Sequence, residues 1–145
     1  MLDDNAASVA IAAGGNNLYQ LWSNGSTWKY VGPPMTGWQQ IGDNINTVAI
    51  AAGGDSLYEL HNNGHIWRYD GTWKQLDNNP ATKQIIAADD NLFQLWSSGN
   101  IFKYVGPPMT GWKQLDNNPA TKQIIAAGDD LYQIRDNGYI LKYTR

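Results

Sequence analysis

Hydrophobic and polar positions alternate in short runs that recur along the chain. LYQLW, at residues 18–22, places Leu18 and Gln20 on one face of a strand and Tyr19 and Leu21 on the other. A small, β-branched run, VAIAA, precedes it, and the turn SNG follows, where Gly25 supplies the positive φ of a hairpin. No window has the 3.6-residue period of an amphipathic helix. The pattern predicts antiparallel strands joined by tight turns.

The pattern occurs four times because the chain is a tandem repeat. Residues 73–88 are identical to residues 112–127, and residues 29–38 are identical to residues 103–112. The anchor leucines of the four copies are 39, 35 and 39 positions apart, the short step being a deletion of four residues in YVGPPMTGW. We predict one unit, 1–145, with repeats at 9–47, 48–82, 83–121 and 122–145, residues 1–8 belonging with the last.

Each repeat contains four short strands: the alanine-rich run, the LYQLW run, STWKY or its equivalent, and WQQI or WKQL. Four antiparallel strands in 35–39 residues are typical of the blade of a β-propeller. A β-trefoil needs three repeats, and a sandwich needs no repetition. Small side chains on the first strand suit the crowded innermost position. The predicted fold is all-β, a propeller with four short four-stranded blades in the chain.

The two ends of the sequence predict how the ring closes. The fourth repeat stops before its outer strand, and Leu2-Asp3-Asp4-Asn5 matches Leu115-Asp116-Asn117-Asn118. We therefore expect the N-terminal segment to complete the last blade and so remove an exposed sheet edge. Closure within one chain gives four blades. Closure by a second copy, a homodimer, gives eight, and it is favoured because blades in a larger ring pack closer to parallel.

Composition excludes several classes of function. The chain has 42% hydrophobic and 16% charged residues and a net charge of −3. Without a Lys/Arg cluster, binding to nucleic acid or to anionic membranes is not expected. No apolar run approaches the roughly 20 residues of a membrane span, so membrane insertion is not expected. The sequence has no cysteine and no signal-peptide pattern at its N-terminus, and it leaves the compartment open.

The repeat LYQLWSNGSTWKYVGPPMTGWQQI resembles the tectonin and tachylectin-like propeller lectins. Their blades are similarly short, rich in tryptophan, asparagine and glycine, with a PP…W stretch before the last strand. The resemblance covers the whole chain, although this chain has few blades and a degenerate fourth repeat. It implies carbohydrate ligands, bound at repeated shallow sites between or beside neighbouring blades.

Sugar binding needs an aromatic ring for the C–H face of the sugar and polar groups for its hydroxyls. The chain places such groups where each LYQLW-type strand meets its turn, and loops of this kind carry function. The first residue there is Trp, His, Trp and Arg in successive repeats, a variation natural for an exposed position. The candidate sugar-binding residues are Trp22, Ser23, Asn24, Trp38, His61, Asn62, Trp73, Trp96, Ser97, Trp112, Arg135 and Asp136.

Structural roles compete with these assignments. Trp22 and Trp96 either stack on sugar or pack between blades, and the sequence favours neither. Trp38, Trp73 and Trp112 begin the outer strand and either fill the wedge between blades or face a pocket. If the strand-end aromatic and the proline loop together form a pocket, only the first and third repeats keep both parts, which predicts two strong sites per chain.

Catalysis is not predicted, and neither is a cofactor. Glycoside hydrolysis needs two carboxylates in different environments within one site, whereas Asp43, Asp77 and Asp116 repeat as equivalents suited to Asx turns. His61 and His65 lack a third metal ligand. The leading hypothesis is a non-enzymatic, multivalent lectin. The alternative is a structural or protein-interaction propeller scaffold, natural or engineered, without a sugar ligand.

Overall fold

The structure, a computed structural model that describes residues 1–143, is all-β, with fifteen strands in the described chain. The first sheet contains β1 (Ser8–Gly14), β2 (Asn17–Trp22), β3 (Thr27–Tyr30) and β4 (Trp38–Gly42). The second contains β5 (Thr47–Gly53), β6 (Ser56–His61), β7 (Ile66–Tyr69) and β8 (Trp73–Asp77). The third contains β9 (Thr82–Ala88), β10 (Asn91–Trp96), β11 (Ile101–Tyr104) and β12 (Trp112–Asp116). The fourth contains β13 (Thr121–Ala127), β14 (Asp130–Arg135) and β15 (Ile140–Tyr143).

Each sheet is a blade with antiparallel neighbours in chain order, and the alanine-rich strand lies at one edge. In the first three sheets the WKQL-type strand lies at the other edge. We call the sheets blades 1 to 4. The inner strands pack against one another in sequence, β1 on β5, β5 on β9 and β9 on β13. The predicted all-β fold with four repeated sheets is thereby confirmed, and the blades form an arc.

The core lies at the interfaces between blades. Tyr58, Leu60 and Leu76 of blade 2 pack against Ile85 and Leu92 of blade 3. The interfaces of blade 1 with blade 2 and of blade 3 with blade 4 repeat these positions. An interior blade therefore buries both of its faces, one against each neighbour.

Blade 4 has three strands within the described residues, and the N-terminal segment lies against blade 1. The Leu2 carbonyl accepts hydrogen bonds from the Met35 backbone N–H at 2.8 Å and from Trp38 Nε1 at 2.9 Å. Two blades further on, the Leu76 carbonyl accepts the same pair of bonds from Met109 and Trp112, each at 2.9 Å. Leu2 thus occupies, relative to blade 1, the position that an outer-strand leucine occupies relative to the next blade.

The two outward faces of the arc expose residues that are buried elsewhere. Ile140 of blade 4 is 74% exposed, whereas the equivalent Ile66 is 0% exposed. On blade 1, Ile11 is 74% exposed, whereas the equivalent Ile124 is 0% exposed. Each outward face therefore carries the apolar residues of a blade interface without a neighbour to cover them.

The space around the hairpin glycine of each blade also differs between blade 4 and the other blades. At Gly64 and Gly99, a Cβ atom would lie 2.0 Å from the carbonyl oxygen of Asn79 or Asn118, just after the outer strand of the same blade. At the equivalent Gly138, no described atom lies within 4 Å. Asn5 is the equivalent of Asn79 and Asn118, since all three side chains accept a bond from the backbone N–H two residues on.

Candidate binding grooves between the blades

In blades 2 to 4, the residue at the end of the LYQLW-type strand has a side-chain nitrogen within hydrogen-bonding distance of a buried side chain of the same strand. Trp96 Nε1 donates to Gln94 Oε1 at 2.9 Å, and His61 Nε2 lies 2.9 Å from Glu59 Oε1. Arg135 Nε donates to Gln133 at 3.4 Å. The exchange among Trp, His and Arg is thus explained: all three carry N–H groups. Trp22 is the exception, because its Nε1 is buried without a partner in the described chain.

These rings also contact a second aromatic ring of their own blade. The Trp22 and Trp28 ring centroids are 4.5 Å apart, and those of Trp96 and Phe102 are 4.3 Å apart. Trp22 and Trp96 are half-buried, so each ring combines an intramolecular contact with partial exposure. The packing hypothesis accounts for one side of each ring, and sugar stacking on the other side stays a prediction.

The central glutamine of the strand is the residue that the sequence reasoning missed. Gln94 is buried, accepts a bond from Thr82 Oγ1, and donates from Nε2 to Asp77 of the preceding blade at 2.7 Å. Blade 4 repeats this arrangement with Gln133 and Asp116. The signal was present in the repeats: each such glutamine follows a Ser or Thr by 12 residues and an Asp by 17. The network joins each blade to the next.

Between blades 1 and 2, the network has a different composition. Gly42 stands where the other interfaces have an aspartate, and Glu59 stands where they have a glutamine. The Glu59 carboxylate accepts bonds from Thr27 Oγ1 at 2.9 Å and Thr47 Oγ1 at 3.0 Å. Thr27 itself replaces an isoleucine of the other blades. One buried carboxylate is retained, but it now belongs to the second blade of the pair.

These exchanges leave a cavity of about 360 Å³, which we call the blade 1–2 groove. Two causes combine: Gly42 has no side chain, and His61 is smaller than the tryptophans of blades 1 and 3. The groove brings together two of the predicted site residues, His61 and Trp73. Its lining is Ile41, Gly42, Asp43, Asn44, Glu59, His61, Trp67 and Trp73.

The outer-strand tryptophans connect neighbouring blades. Trp73 Nε1 donates to the Ile41 carbonyl of blade 1 at 2.9 Å, as Trp112 does to Leu76. Their rings are tilted on Tyr69 and Tyr104 with centroids 5.0 Å and 5.2 Å apart. Trp38 makes the equivalent contacts with Leu2 and Tyr30. These contacts give all three residues a structural role, and Trp73 also lines the groove.

The remaining predicted site residues lie on the exposed turns that follow these strands. They are Ser23, Asn24, Asn62, Ser97 and Asp136, and each is exposed. The Asn24 side chain is engaged, accepting a bond from the Ser26 backbone N–H at 2.9 Å. The turns bring polar groups to one end of each blade.

The proline loops lie at the opposite end of the blades from these turns. In blade 1 the loop joins Tyr30 to Trp38, which pair with each other, whereas Thr27 pairs with Leu21 and Gly42 at the other end. The strand-end aromatic and the proline loop are therefore separated by the length of the sheet. The hypothesis that both parts line one pocket is wrong for this topology, and the stoichiometry of two strong sites loses its basis.

Within residues 1–143, no three His, Asp or Glu side chains are grouped so as to hold a metal ion. The same residues contain no helix long and apolar enough to cross a membrane.

Comparison with solved structures defines the class of protein as a β-propeller. Human WBSCR16 superposes with a TM-score of 0.73 at 11% identity, covering 98% of this chain and 48% of that one. Yeast RCC1 (Prp20) bound to Kap60 gives 0.72 at 16% identity, covering 93% and 43%. The computationally designed protein Ika4 gives 0.65 at 12% identity, covering 99% and 94%. At such identities the likeness concerns the fold alone.

The particular family is not defined by these comparisons. No family model matches the chain, and no curated protein matches it. The chain spans about half the length of the WBSCR16 and Prp20 chains that it resembles. The resemblance to tectonin and tachylectin-like lectins stays a prediction from the repeats.

Proposed function

We propose that the chain is a non-enzymatic propeller scaffold that works through protein–protein contacts, and that a second copy closes its ring. The observation that carries the proposal is the match between the two outward faces. Blade 4 presents Ile140 and blade 1 presents Ile11, the two halves of the contact that is buried between interior blades. Burying such side chains stabilises an interface by about 1.5–3 kcal/mol each.

Hydrogen bonding at the interface of blades 3 and 4 extends the match. Gln84 of blade 3 donates to the Ile124 carbonyl at 2.8 Å and accepts from the Ile124 N–H at 3.0 Å. The equivalent residues on the outward faces are Gln123 and Ile11. When blade 4 of one copy meets blade 1 of another, the same two bonds form between the copies.

The N-terminal segment supplies a fourth strand to the partner's last blade. Residues 1–3 are the equivalents of residues 75–77, which close blade 2. Placed beside β15, they bring Leu2 over the exposed Ile140, as Leu76 covers Ile66. The Asn5 carbonyl then faces Gly138, in the space where a Cβ would be excluded in the other blades.

Two copies suit the curvature of the arc. The four blades superpose on just under half of the Prp20 chain, so a ring of similar curvature needs about twice as many blades. A four-bladed ring within one chain would bring Ile11 and Ile140 of the same molecule together, yet both are exposed. An eight-bladed ring of two copies is also a closed assembly of the commonest symmetry.

A protein-interaction role agrees with the solved structure of a similar propeller. Prp20, a propeller of similar fold, is bound to the protein Kap60 in its structure. Rigid rings with exposed turns are suited to such contacts because the sheets fix the loops in place. The fold likeness supports this role without naming a partner.

Disulfide trapping tests the ring. A Cβ built on Gly53 of blade 2 lies 3.4 Å from the Ala87 Cβ of blade 3, close to the separation of about 3.5–4.5 Å in disulfides. The equivalent positions on the outward faces are Ala127 and Ala13. Since the chain has no cysteine, an Ala13→Cys/Ala127→Cys variant carries only the two introduced thiols.

Oxidation should convert that variant to a covalent species of twice 16.1 kDa. A species of single mass without free thiols would instead establish a four-bladed ring, and retention of free thiols would refute both forms of closure. The control variant is Ala13→Cys/Val48→Cys. Val48 lies on β5 of blade 2, which is an interior blade, so this variant should stay uncrosslinked.

A second candidate function is carbohydrate binding at the blade 1–2 groove. The observation in its favour is the grouping of Trp67 and Trp73 with Asp43 and Asn44, which offers rings for a sugar face and acceptors for its hydroxyls. A glycan array with the assembled protein tests it. Binding to no glycan at high protein concentration would remove the lectin hypothesis and leave the scaffold.

A further inference from the structure

We propose that the blade 1–2 groove binds an organic cation carried on an apolar stem, as in an arginine or lysine side chain of a partner protein. The protein source of the cation rests on the proposed scaffold function, whereas its chemistry rests on the groove alone.

The size of the groove suits such a group. Its volume of about 360 Å³ lies at the lower end of the roughly 300–1,000 Å³ of ligand pockets. The groove is formed between Ile41 and Gly42 of blade 1 and the rings of blade 2, so one wall comes from each blade. It therefore admits an extended side chain between the two sheets.

The charge of the groove is negative. Glu59 is 2% exposed and lines the cavity, and Asp43 lies at its exposed rim. At the interface of blades 2 and 3 the same two positions hold the neutral side chains Gln94 and Asn78. No arginine or lysine is among the lining residues. Two carboxylates thus face one cavity without a permanent positive charge.

The Glu59 carboxylate has room for a further donor. It accepts from Thr27, Thr47 and His61, and a carboxylate offers about four acceptor sites. The two hydroxyl donors are neutral, so they solvate the carboxylate without cancelling its charge. A ligand N–H that reaches the cavity side of Glu59 would take the remaining site.

His61 provides a second acceptor. It is 7% exposed, and its Nε2 lies 2.9 Å from Glu59. In the neutral imidazole with Nε2 donating to that carboxylate, Nδ1 is an acceptor. Nδ1 has no hydrogen-bond partner in the part of the chain that the structure describes. The buried ring thus brings an unused acceptor to the groove that a ligand N–H can satisfy.

Aromatic rings complete the recognition. The His61 and Trp67 rings lie nearly parallel with centroids 6.2 Å apart, and Trp73 lines the same cavity. The face of an indole attracts a cation within about 6 Å, most strongly where water is excluded. The apolar stem packs on these rings while the charged head meets the carboxylates. A neutral ligand of the same shape would lose the attraction between the charged head and the carboxylates.

The test compares a cation with its neutral isostere. N-acetyl-arginine methylamide and the matching citrulline compound are titrated into the assembled protein, with binding followed by calorimetry. We expect the arginine compound to bind at least tenfold more tightly, with affinity falling as salt rises. Equal affinity of the two compounds, or binding of neutral sugars with no binding of arginine, would overturn the proposal.

Two variants assign the site. His61→Trp introduces the larger ring of blades 1 and 3 and should abolish binding. Asp43→Asn, at an exposed position that is asparagine in blades 2 and 3, should weaken binding about fivefold with the fold unchanged. The control Asn78→Asp adds the same charge at the equivalent position between blades 2 and 3 and should create no second site. Unchanged affinity in both groove variants would place the ligand elsewhere and refute the assignment.

Two further comparisons distinguish a partner protein from a free small cation, and the groove proposal from the ring proposal. A short arginine-containing peptide that binds at least tenfold more tightly than ethylguanidine supports a protein partner, whereas equal binding supports a free small cation. The disulfide test of ring closure uses residues on the outward faces, far from the groove in sequence and on other interfaces. Failure of one proposal therefore leaves the other measurable.

Discussion

The Asp77 carboxylate accepts a 2.7 Å hydrogen bond from the Gln94 amide across the interface between blades 2 and 3. Asp3 and Gln20, and Asp116 and Gln133, repeat the relationship at 2.7 Å and 2.9 Å. Between blades 1 and 2, both members change together, to Gly42 and Glu59. The paired change keeps one carboxylate at each interface and avoids placing two side by side.

The paired change predicts strong coupling between residues 77 and 94. Gln94→Glu alone places a second carboxylate against Asp77 in a buried site and should lower the free energy of unfolding by about 3–5 kcal/mol. Asp77→Gly alone leaves a buried amide donor without its acceptor and should cost about 1–3 kcal/mol. The double variant should recover much of the loss, measured by urea denaturation as a coupling of about 1–3 kcal/mol.

Ile66→Thr extends this double-mutant experiment. It places at the interface of blades 2 and 3 the hydroxyl that Thr27 donates to Glu59 between blades 1 and 2. Added to the double variant it should be less harmful than in the wild-type background, where it only removes apolar contact. Additive effects of the substitutions at 77 and 94 would mean that the two side chains do not depend on each other.

Ile140→Glu should prevent association of two copies. The side chain is exposed in the single chain, so the charge costs little there, but it would be buried without a partner at a closed interface. Light scattering should give about twice 16.1 kDa for the wild type and 16.1 kDa for the variant. Val105→Glu is the matched control: Val105 is 60% exposed on a proline loop and should leave the mass unchanged.

Alkaline pH should destabilise the fold through buried tyrosines. Burial raises the pKa of Tyr58 above its ordinary value of 10.0, and it does the same for Tyr19. Because the folded-state pKa lies above the unfolded one, the stabilisation is complete below about pH 10 and is lost as pH rises through the folded value. Tyr58→Phe should reduce the slope of unfolding free energy against pH in this range by up to about 1.4 kcal/mol per unit. A slope unchanged by the substitution would show that Tyr58 does not titrate there.

Trp96→Ala should cost more stability than Trp22→Ala. Both rings stack in their blade, but Trp96 also donates to Gln94, whereas Trp22 Nε1 has no partner in the described chain. We expect about 3–5 kcal/mol for Trp96 and about 1 kcal/mol less for Trp22. Thermal melting and glycan titration on the same variants decide between roles: lost glycan binding with unchanged melting would return both residues to the sugar-site hypothesis.

The repeats made the fold readable from the sequence. Alternation in LYQLW predicted a strand with two different faces, and Gly25 and Gly64 marked hairpins that both occur with positive φ. The likeness of Leu2-Asp3 to Leu115-Asp116 agrees with the hydrogen bonds of Leu2 to blade 1, whereas completion of the last blade stays a prediction. Local geometry and repetition suffice for such statements because each repeat has the same strands and turns.

The site was less accessible to this reasoning. The sequence shows that position 61 varies among the repeats. The reason is that His61, Trp96 and Arg135 each carry an N–H group that reaches the side chain two residues earlier, a contact that depends on side-chain direction. Gln94 was overlooked because a polar residue within an alternating strand usually faces solvent. The groove itself arises because Gly42 has no side chain and His61 has a smaller one than tryptophan, and the two residues come together only when blades pack.

Outward faces that match each other head to tail carry a risk of polymerisation. A contact of this type makes a ring only when successive rotations sum to a full turn, and otherwise makes an open filament. In the proposed ring, the tight fit expected between Gly138 and Asn5 would fix the angle at each junction. In such a ring, a substitution that changes this angle would turn a closed assembly into a growing fibre, and solubility at high concentration would then depend on the geometry of one hairpin.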